Sequence, residues 1–189
     1  MKHALAIIAL ALLAAGRCAA QEKPFRPPAV PLVTFDPYLS IWSEADRLTD
    51  DNTRHWTHRE HALVSLIRVD GKPFRLMGKE PAAAEPMPQT GLQVTPTRSI
   101  YTFRSDAVQV TLTFMTAALP GDLEAFSRPL SYLTWTVRAI DGKPHAVSIY
   151  DSVSALIAVN SPRQQVEWKR ETAGPLAALR AGTVTQRVL

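Results

Sequence analysis

The sequence predicts an all-β fold, an antiparallel β-sandwich, and three of its features point there. Apolar and polar residues alternate with the period of two that sends side chains to opposite faces of a strand: Val108, Val110, Leu112 and Phe114 against Gln109, Thr111 and Thr113. Leu133, Trp135 and Val137 alternate in the same way with Thr134, Thr136 and Arg138. The tetrapeptide DGKP occurs twice, at residues 70–73 and 141–144, and Asp-Gly supplies the positive φ angles of a tight hairpin. The 15 prolines, all beyond residue 20, punctuate the chain too often for long helices.

In chain order, Lys2 and His3 lead an apolar run over residues 4–15 that gives way to small residues ending at Ala20, the pattern of a secretory signal peptide cleaved there. The run is shorter than the ~20 residues needed to cross a bilayer, and no second one follows. A secreted or periplasmic product is expected, with no membrane partner once the signal is gone. Cys18 is the only cysteine and leaves with the signal, so stability must come from packing and not from a disulfide. Arg17 before it stands where a lipoprotein signal would carry a small residue. Removal of Lys2 and Arg17 leaves 19 basic residues against 17 acidic ones, scattered singly, which predicts no nucleic-acid partner. The ~169 residues that remain suffice for one well-buried domain, or for a domain and part of a second. The expected division is a signal peptide at 1–20, a motif region with an extended lead-in at 21–78, and a sandwich portion at 79–189.

Residues 21–31, rich in proline, read as an extended tether. Short strands are expected at 32–34 and 38–42, broken at Asp36-Pro37 because proline drives its predecessor out of the helical region. Residues 43–60 lose any apolar period and read as loop, with Ser43 and Asp46 spaced as a box that could start one helical turn. Strands at 61–69 and 74–77 flank the first Asp-Gly as a hairpin, and 79–89 is a surface loop by composition. Residues 92–95, 99–104 and 108–116 add strands, and 130–140 with 145–150 form a second hairpin around the second Asp-Gly. A buried strand is expected at 153–159, followed by alternation at Val166 and Trp168. Residues 183–189 read as the start of a strand, so the sandwich is expected to be incomplete at its C-terminal end, leaving an unpaired edge.

Chemistry-bearing residues concentrate in residues 36–56, DPYLSIWSEADRLTDDNTRHW. Asp46, Arg47, Asp50, Asp51, Arg54, His55 and Trp56 are the candidates for substrate or domain-interface contacts, and Tyr38 and Trp42 are candidates for an aromatic surface. Asp46 and Asp50 would converge on a helical turn, and paired carboxyl groups can do acid–base work. The favoured alternative is that these aspartates bond loop backbone and pair with Arg47 and Arg54. Tyr38, Trp42 and Trp56 either stack on a ligand such as a sugar or anchor the loop, with anchoring favoured. His55, His58 and His61 recur every third residue, which matches no strong zinc signature, so no metal is expected. Neither a glycine-rich phosphate loop, a GxSxG elbow nor a CxxC pair occurs, and no cofactor is expected.

Residues 27–56 (PPAVPLVTFDPYLSIWSEADRLTDDNTRHW) followed by 61–78 (HALVSLIRVDGKPFRLMG) resemble the N-terminal region of the secreted glutaminase A-like proteins of bacteria and fungi. The resemblance implies a supersandwich-like β domain placed before a C-terminal helical barrel of the six-hairpin glycosidase type. It also implies hydrolysis of L-glutamine to L-glutamate and ammonia. That helical domain does not occur in these residues, so the resemblance implies part of a hydrolase that is inactive alone, with no catalytic residues to carry over. Asn52 departs from the motif, which favours a bulkier, often aromatic residue. The implied partner is the helical domain of the same protein, with a small-molecule amide or sugar as ligand. In a complete relative the 46–56 loop would face that domain, with Arg47 or Arg54 pairing a substrate carboxylate. The alternative is a carbohydrate-binding sandwich using Tyr38, Trp42 and Trp56, or a glycoside-hydrolase accessory domain, the latter by fold analogy alone.

Overall fold

The computed structural model describes residues 26–185. The expected signal peptide, Cys18, residues 21–25 of the tether and residues 186–189 lie outside the described residues. The rest is a β-sandwich left open on one side. Two four-stranded sheets form its layers, and a three-stranded sheet lies against one end.

The end sheet contains β1 (Val30–Thr34), β2 (Ser40–Ser43) and β3 (Arg54–His55), in the order β1-β2-β3. The first layer contains β4 (Leu63–Val69), β5 (Lys72–Met77) and β6 (Glu85–Pro86), and is joined from far along the chain by β11 (Val147–Val153), in the order β11-β4-β5-β6. The second layer contains β7 (Gln89–Thr95), β8 (Arg98–Arg104), β9 (Val108–Thr116) and β10 (Ser131–Ala139), in the order β10-β9-β8-β7. A two-stranded ribbon, β12 (Val166–Ala173) with β13 (Leu176–Thr183), follows a 3-10 turn at Ala155–Ala158.

Alternation decides what each layer buries. Along β9, Val108, Val110, Leu112 and Phe114 are buried, and opposite them stand Phe103, Tyr101 and Ser99 of β8 and Val137, Trp135 and Leu133 of β10. Leu63, Ser65, Ile67 and Val69 form the matching inner face of β4. The Trp135 indole donates across the layers to the Ser65 hydroxyl at 3.0 Å, which satisfies the one polar group on that face of β4. Val30, Leu32 and Ile41 of the end sheet complete the core, and the Ser99 hydroxyl bonds Pro31 O at 2.6 Å to fix that sheet against β8.

Burial fades toward the β10 and β11 edges. Val147, Ile149 and Val153 stand opposite the buried Val69, Ile67 and Leu63 of β4, yet they are exposed. Trp168, Leu176 and Leu179 of the ribbon are exposed as well. Asp151 sits on the same inward face of β11, and desolvation pushes its carboxyl up to about 6. An inward-pointing charge on an edge strand is one device that discourages wrong pairing.

The chain bends at both Asp-Gly pairs, but only the first forms a tight turn and closes a hairpin. Asp70 (φ +49°) and Gly71 (φ +87°) join β4 to β5 as expected. The second turn instead carries the chain between layers, because β10 pairs with β9 and β11 with β4. Its two sides are tied apart: Ile140 N donates to Ala107 O at 2.9 Å, and Asp70 N to Ala146 O at 2.9 Å. The two turns meet at His145, whose ring lies 2.6 Å from Asp70 and 2.9 Å from Asp141.

Four other expectations need correction. Residues 43–46 form no helical turn, because Ser43 is a buried member of β2 and the reversal falls at 47–50, where Asp50 N donates to Arg47 O at 3.1 Å. The 43–60 loop contains the short strand β3, held by pairing with β2. The 79–89 segment is not purely surface, since Ala84 and Met87 are buried and β6 runs parallel to β5. Residues 153–159 are a strand end and a 3-10 turn, capped by the Ser154 side chain, and not a buried strand. One short helix, α1 (Leu123–Phe126), was not anticipated; the Asp122 carboxylate caps it by accepting from Ala125 N at 3.0 Å.

Candidate functional site

The segment from residue 36 to 61 folds on itself around three anchors. The Asp36 carboxylate accepts from Tyr38 N at 2.7 Å and Leu39 N at 2.8 Å, which turns the chain at Pro37. Pro37 O then lies 2.8 Å from His55 Nε2 and accepts from the Trp56 indole at 2.7 Å. A carbonyl can only accept, so His55 carries its proton on Nε2, and its Nδ1 accepts from Thr57 N at 3.3 Å. His58 adopts a left-handed φ of +64° at a tight reversal, closed by His55 N donating to Arg59 O at 2.8 Å. The third anchor is Thr53, whose buried hydroxyl donates to His61 O at 2.7 Å and accepts from Leu63 N at 2.8 Å.

These anchors shape one wall of a pocket of about 370 Å³. Tyr38, His55, Thr57, Arg59 and His61 line that wall. The 3-10 turn and the segment after it supply the other wall, through Ile157, Val159, Asn160 and Gln164. The Gln164 side chain holds that segment in place by accepting from Asn160 N at 2.6 Å and Ser161 N at 3.0 Å. The His61 ring is buried beside His55 (centroids 5.2 Å apart); burial, then His55 and Arg59, push its pKa below the ordinary imidazole value. His61 Nδ1 and Arg59 Nη2 are both buried without a hydrogen-bond partner.

The carboxylates singled out in the sequence lie apart from this pocket and are separately engaged. Asp46 pairs with Arg26 at 3.3 Å, and Asp50 accepts from Arg47 N at 3.2 Å. Asp51 pairs with Arg54 at 2.9 Å and Lys79 at 3.2 Å, and the Arg54 guanidinium chiefly holds its carboxyl down at about 2. The other arm of Arg54 donates to His58 O at 3.2 Å. Asn52 accepts from Lys79 N at 3.3 Å. Of the aromatic residues, Tyr38 (83% exposed) and Trp56 (56%) are open to solvent, whereas Trp42 is half-buried with its indole donating to Ser40. Trp42 is the cross-strand partner of Arg54, on the opposite face of the sheet from His55.

Of the candidates read from sequence, the pocket therefore brings together Tyr38 and His55. It adds Arg59, His61, Asn160 and Gln164, which sequence reasoning did not assign to a site. Among the described residues, no group of three or more His, Cys, Asp or Glu is placed to hold a metal ion. None of their helices is long and apolar enough to cross a membrane.

Two family models match the chain, both described as domains of unknown function: DUF4964 over residues 6–87 and DUF5127 over residues 97–189. The chain is similar to glutaminase A of Aspergillus oryzae, with 33% identity over 153 residues, or 77% of this chain. It spans 22% of the length of that relative. This similarity indicates a distant, family-level kinship with glutaminase A. No solved structure matches.

Proposed function

We propose that this chain is the N-terminal β-sandwich portion of a secreted or periplasmic glutaminase-like amidohydrolase, a family that hydrolyses L-glutamine to L-glutamate and ammonia. The similarity to glutaminase A carries this reading, because it runs through most of the chain while occupying only 22% of the relative. The open side of the sandwich supports it, since the apolar side chains of β11 and of the β12–β13 ribbon await cover. In this reading a helical domain supplied by the rest of the protein covers those strands. The 46–56 loop, tied down by its own ion pairs, contributes to the boundary between the two domains. The chain alone is then a scaffold and not a catalyst.

The test is ammonia release from L-glutamine by the full product of the reading frame that contains this chain. Release by that product, and none by residues 21–189, is expected. A full product that folds and releases no ammonia refutes the amidohydrolase reading. A carbohydrate-binding sandwich is the second reading, favoured by the exposed rings of Tyr38 and of Trp56, whose indole donates to Pro37 O. Glycan binding that disappears with Trp56→Ala, in a product without glutaminase activity, would select it.

A further inference from the structure

We propose that the pocket between residues 53–61 and 155–164 is a binding site for a compact carboxylate, received by the Arg59 guanidinium and the His61 imidazole. The primary observation is that two side chains on one wall, a guanidinium and an imidazole, each carry an unmet polar nitrogen. Arg59 and His61 both line the cavity, and each carries a buried nitrogen, Nη2 and Nδ1, that has no hydrogen-bond partner among the described residues. A buried guanidinium nitrogen without an acceptor is costly, and native proteins rarely leave one so unless water, an ion or a ligand completes it.

Charge points the same way. Among the described residues, the pocket lining contains no aspartate or glutamate to neutralise Arg59. Glu60, between the two residues, alternates to the other face of the segment, where its charge acts on Arg54. Burial, then His55 and Arg59, lower the His61 pKa, and Arg59 is the one Lys or Arg of the lining among the described residues. A single cation suits a single carboxylate, to which a guanidinium can present two parallel N–H groups. A phosphate dianion would find neither a second cation nor a glycine-rich backbone nest there. The remaining walls fit a short acid with a polar tail, with Ile157 and Val159 offering apolar contact and Thr57 and Asn160 polar ends. A cavity of about 370 Å³ accommodates a molecule of amino-acid or hydroxy-acid size. His61 is held in position by Thr53 at its carbonyl, so the site is preformed.

This inference stands on the pocket and does not depend on the amidohydrolase reading. It is tested by following the His61 ring signals in NMR spectra of the full product of the reading frame that contains this chain while titrating succinate, L-glutamate, inorganic phosphate and, as a neutral control, glycerol. The expected result is a saturable His61 shift with the two carboxylates at millimolar concentration, and an upward move of the His61 pKa when the site is filled. Arg59→Gln should weaken carboxylate binding at least about tenfold, with the other histidine signals showing an intact fold and Arg59→Lys restoring part of the affinity. No saturable shift in the unsubstituted chain, or equal affinity in Arg59→Gln, overturns the proposal. Phosphate binding more tightly than either carboxylate overturns the assignment of ligand class.

Discussion

Thr53→Val is the substitution that most sharply tests how the pocket wall is built. Thr53 is buried, and its hydroxyl makes two bonds at once, donating to His61 O at 2.7 Å and accepting from Leu63 N at 2.8 Å. Valine preserves the shape and removes both bonds, leaving a buried carbonyl and a buried N–H without partners. Each such group costs about 1–3 kcal/mol, so a loss of about 3 kcal/mol is expected for the pair. Thr53→Ser keeps the hydroxyl and removes one methyl group, at about 1 kcal/mol. Urea unfolding at neutral pH measures both, the midpoint falling at unchanged slope. If valine costs less than serine, or if both lie close to the unsubstituted chain, the hydroxyl does not hold His61 and the reasoning fails. A valine variant that is destabilised should also bind succinate more weakly, because His61 loses its fixed carbonyl.

Gly71 and Gly78 both have positive φ, but only Gly78 is crowded: a Cβ there would lie 3.0 Å from Leu63 O and 3.1 Å from Val64 Cγ2. Gly71→Ala should therefore cost about 1 kcal/mol from backbone strain alone, and Gly78→Ala about 2–4 kcal/mol, read from the same urea midpoints. His145 gains two carboxylate partners, first Asp141 and then Asp70, which raise its folded pKa above the ordinary value. Its stabilisation is thus full below about pH 6.5 and is lost as pH rises through the raised folded value. The stability gap between the unsubstituted chain and His145→Gln should shrink across that interval, and a gap constant with pH would refute the pairing. Asp51 works in the opposite sense: its carboxyl, lowered to about 2, stabilises the fold above the ordinary value of 3.8 and stops doing so as pH falls through about 2. Because Asp51 is more than a third exposed, solvent screening reduces the full shift, and Asp51→Asn should cost only about 1 kcal/mol at neutral pH.

The layers were legible because their strands are long and half-buried. Val108 to Phe114 and Leu133 to Val137 alternate so regularly that both faces are written in the chain, and they pair with each other. The two DGKP turns show the limit of such reading. Local chemistry bends the chain at both, but which strands then pair is set by the register of Val147, Ile149 and Val153 beside Val69, Ile67 and Leu63 of β4, partners about 80–90 residues apart that leave no local signal. Met87 looked like loop because Pro86 and Pro88 surround it, although it is the buried anchor of that loop. At the site, the dense segment from residue 36 to 56 contributes Tyr38 and His55 to the pocket lining. Arg59 and His61 follow in a stretch without periodicity, where only the tertiary position of Thr53 aims them inward. Asn160 and Gln164 come from a turn about a hundred residues later, and nothing local distinguishes them from ordinary polar loop residues.

The most direct measurement of whether this sandwich is one part of a larger glutaminase-like assembly is amide hydrogen exchange along β10, β11, β12 and β13. It would be compared between residues 21–189 and the full product of the reading frame. Cover by a further domain predicts exchange slowed at least about tenfold at β11 and the β12–β13 ribbon in the full product, with the centre of β9 unchanged. Equal exchange in both would contradict it, leaving the exposed faces of Ile149, Val153 and Trp168 uncovered in the protein.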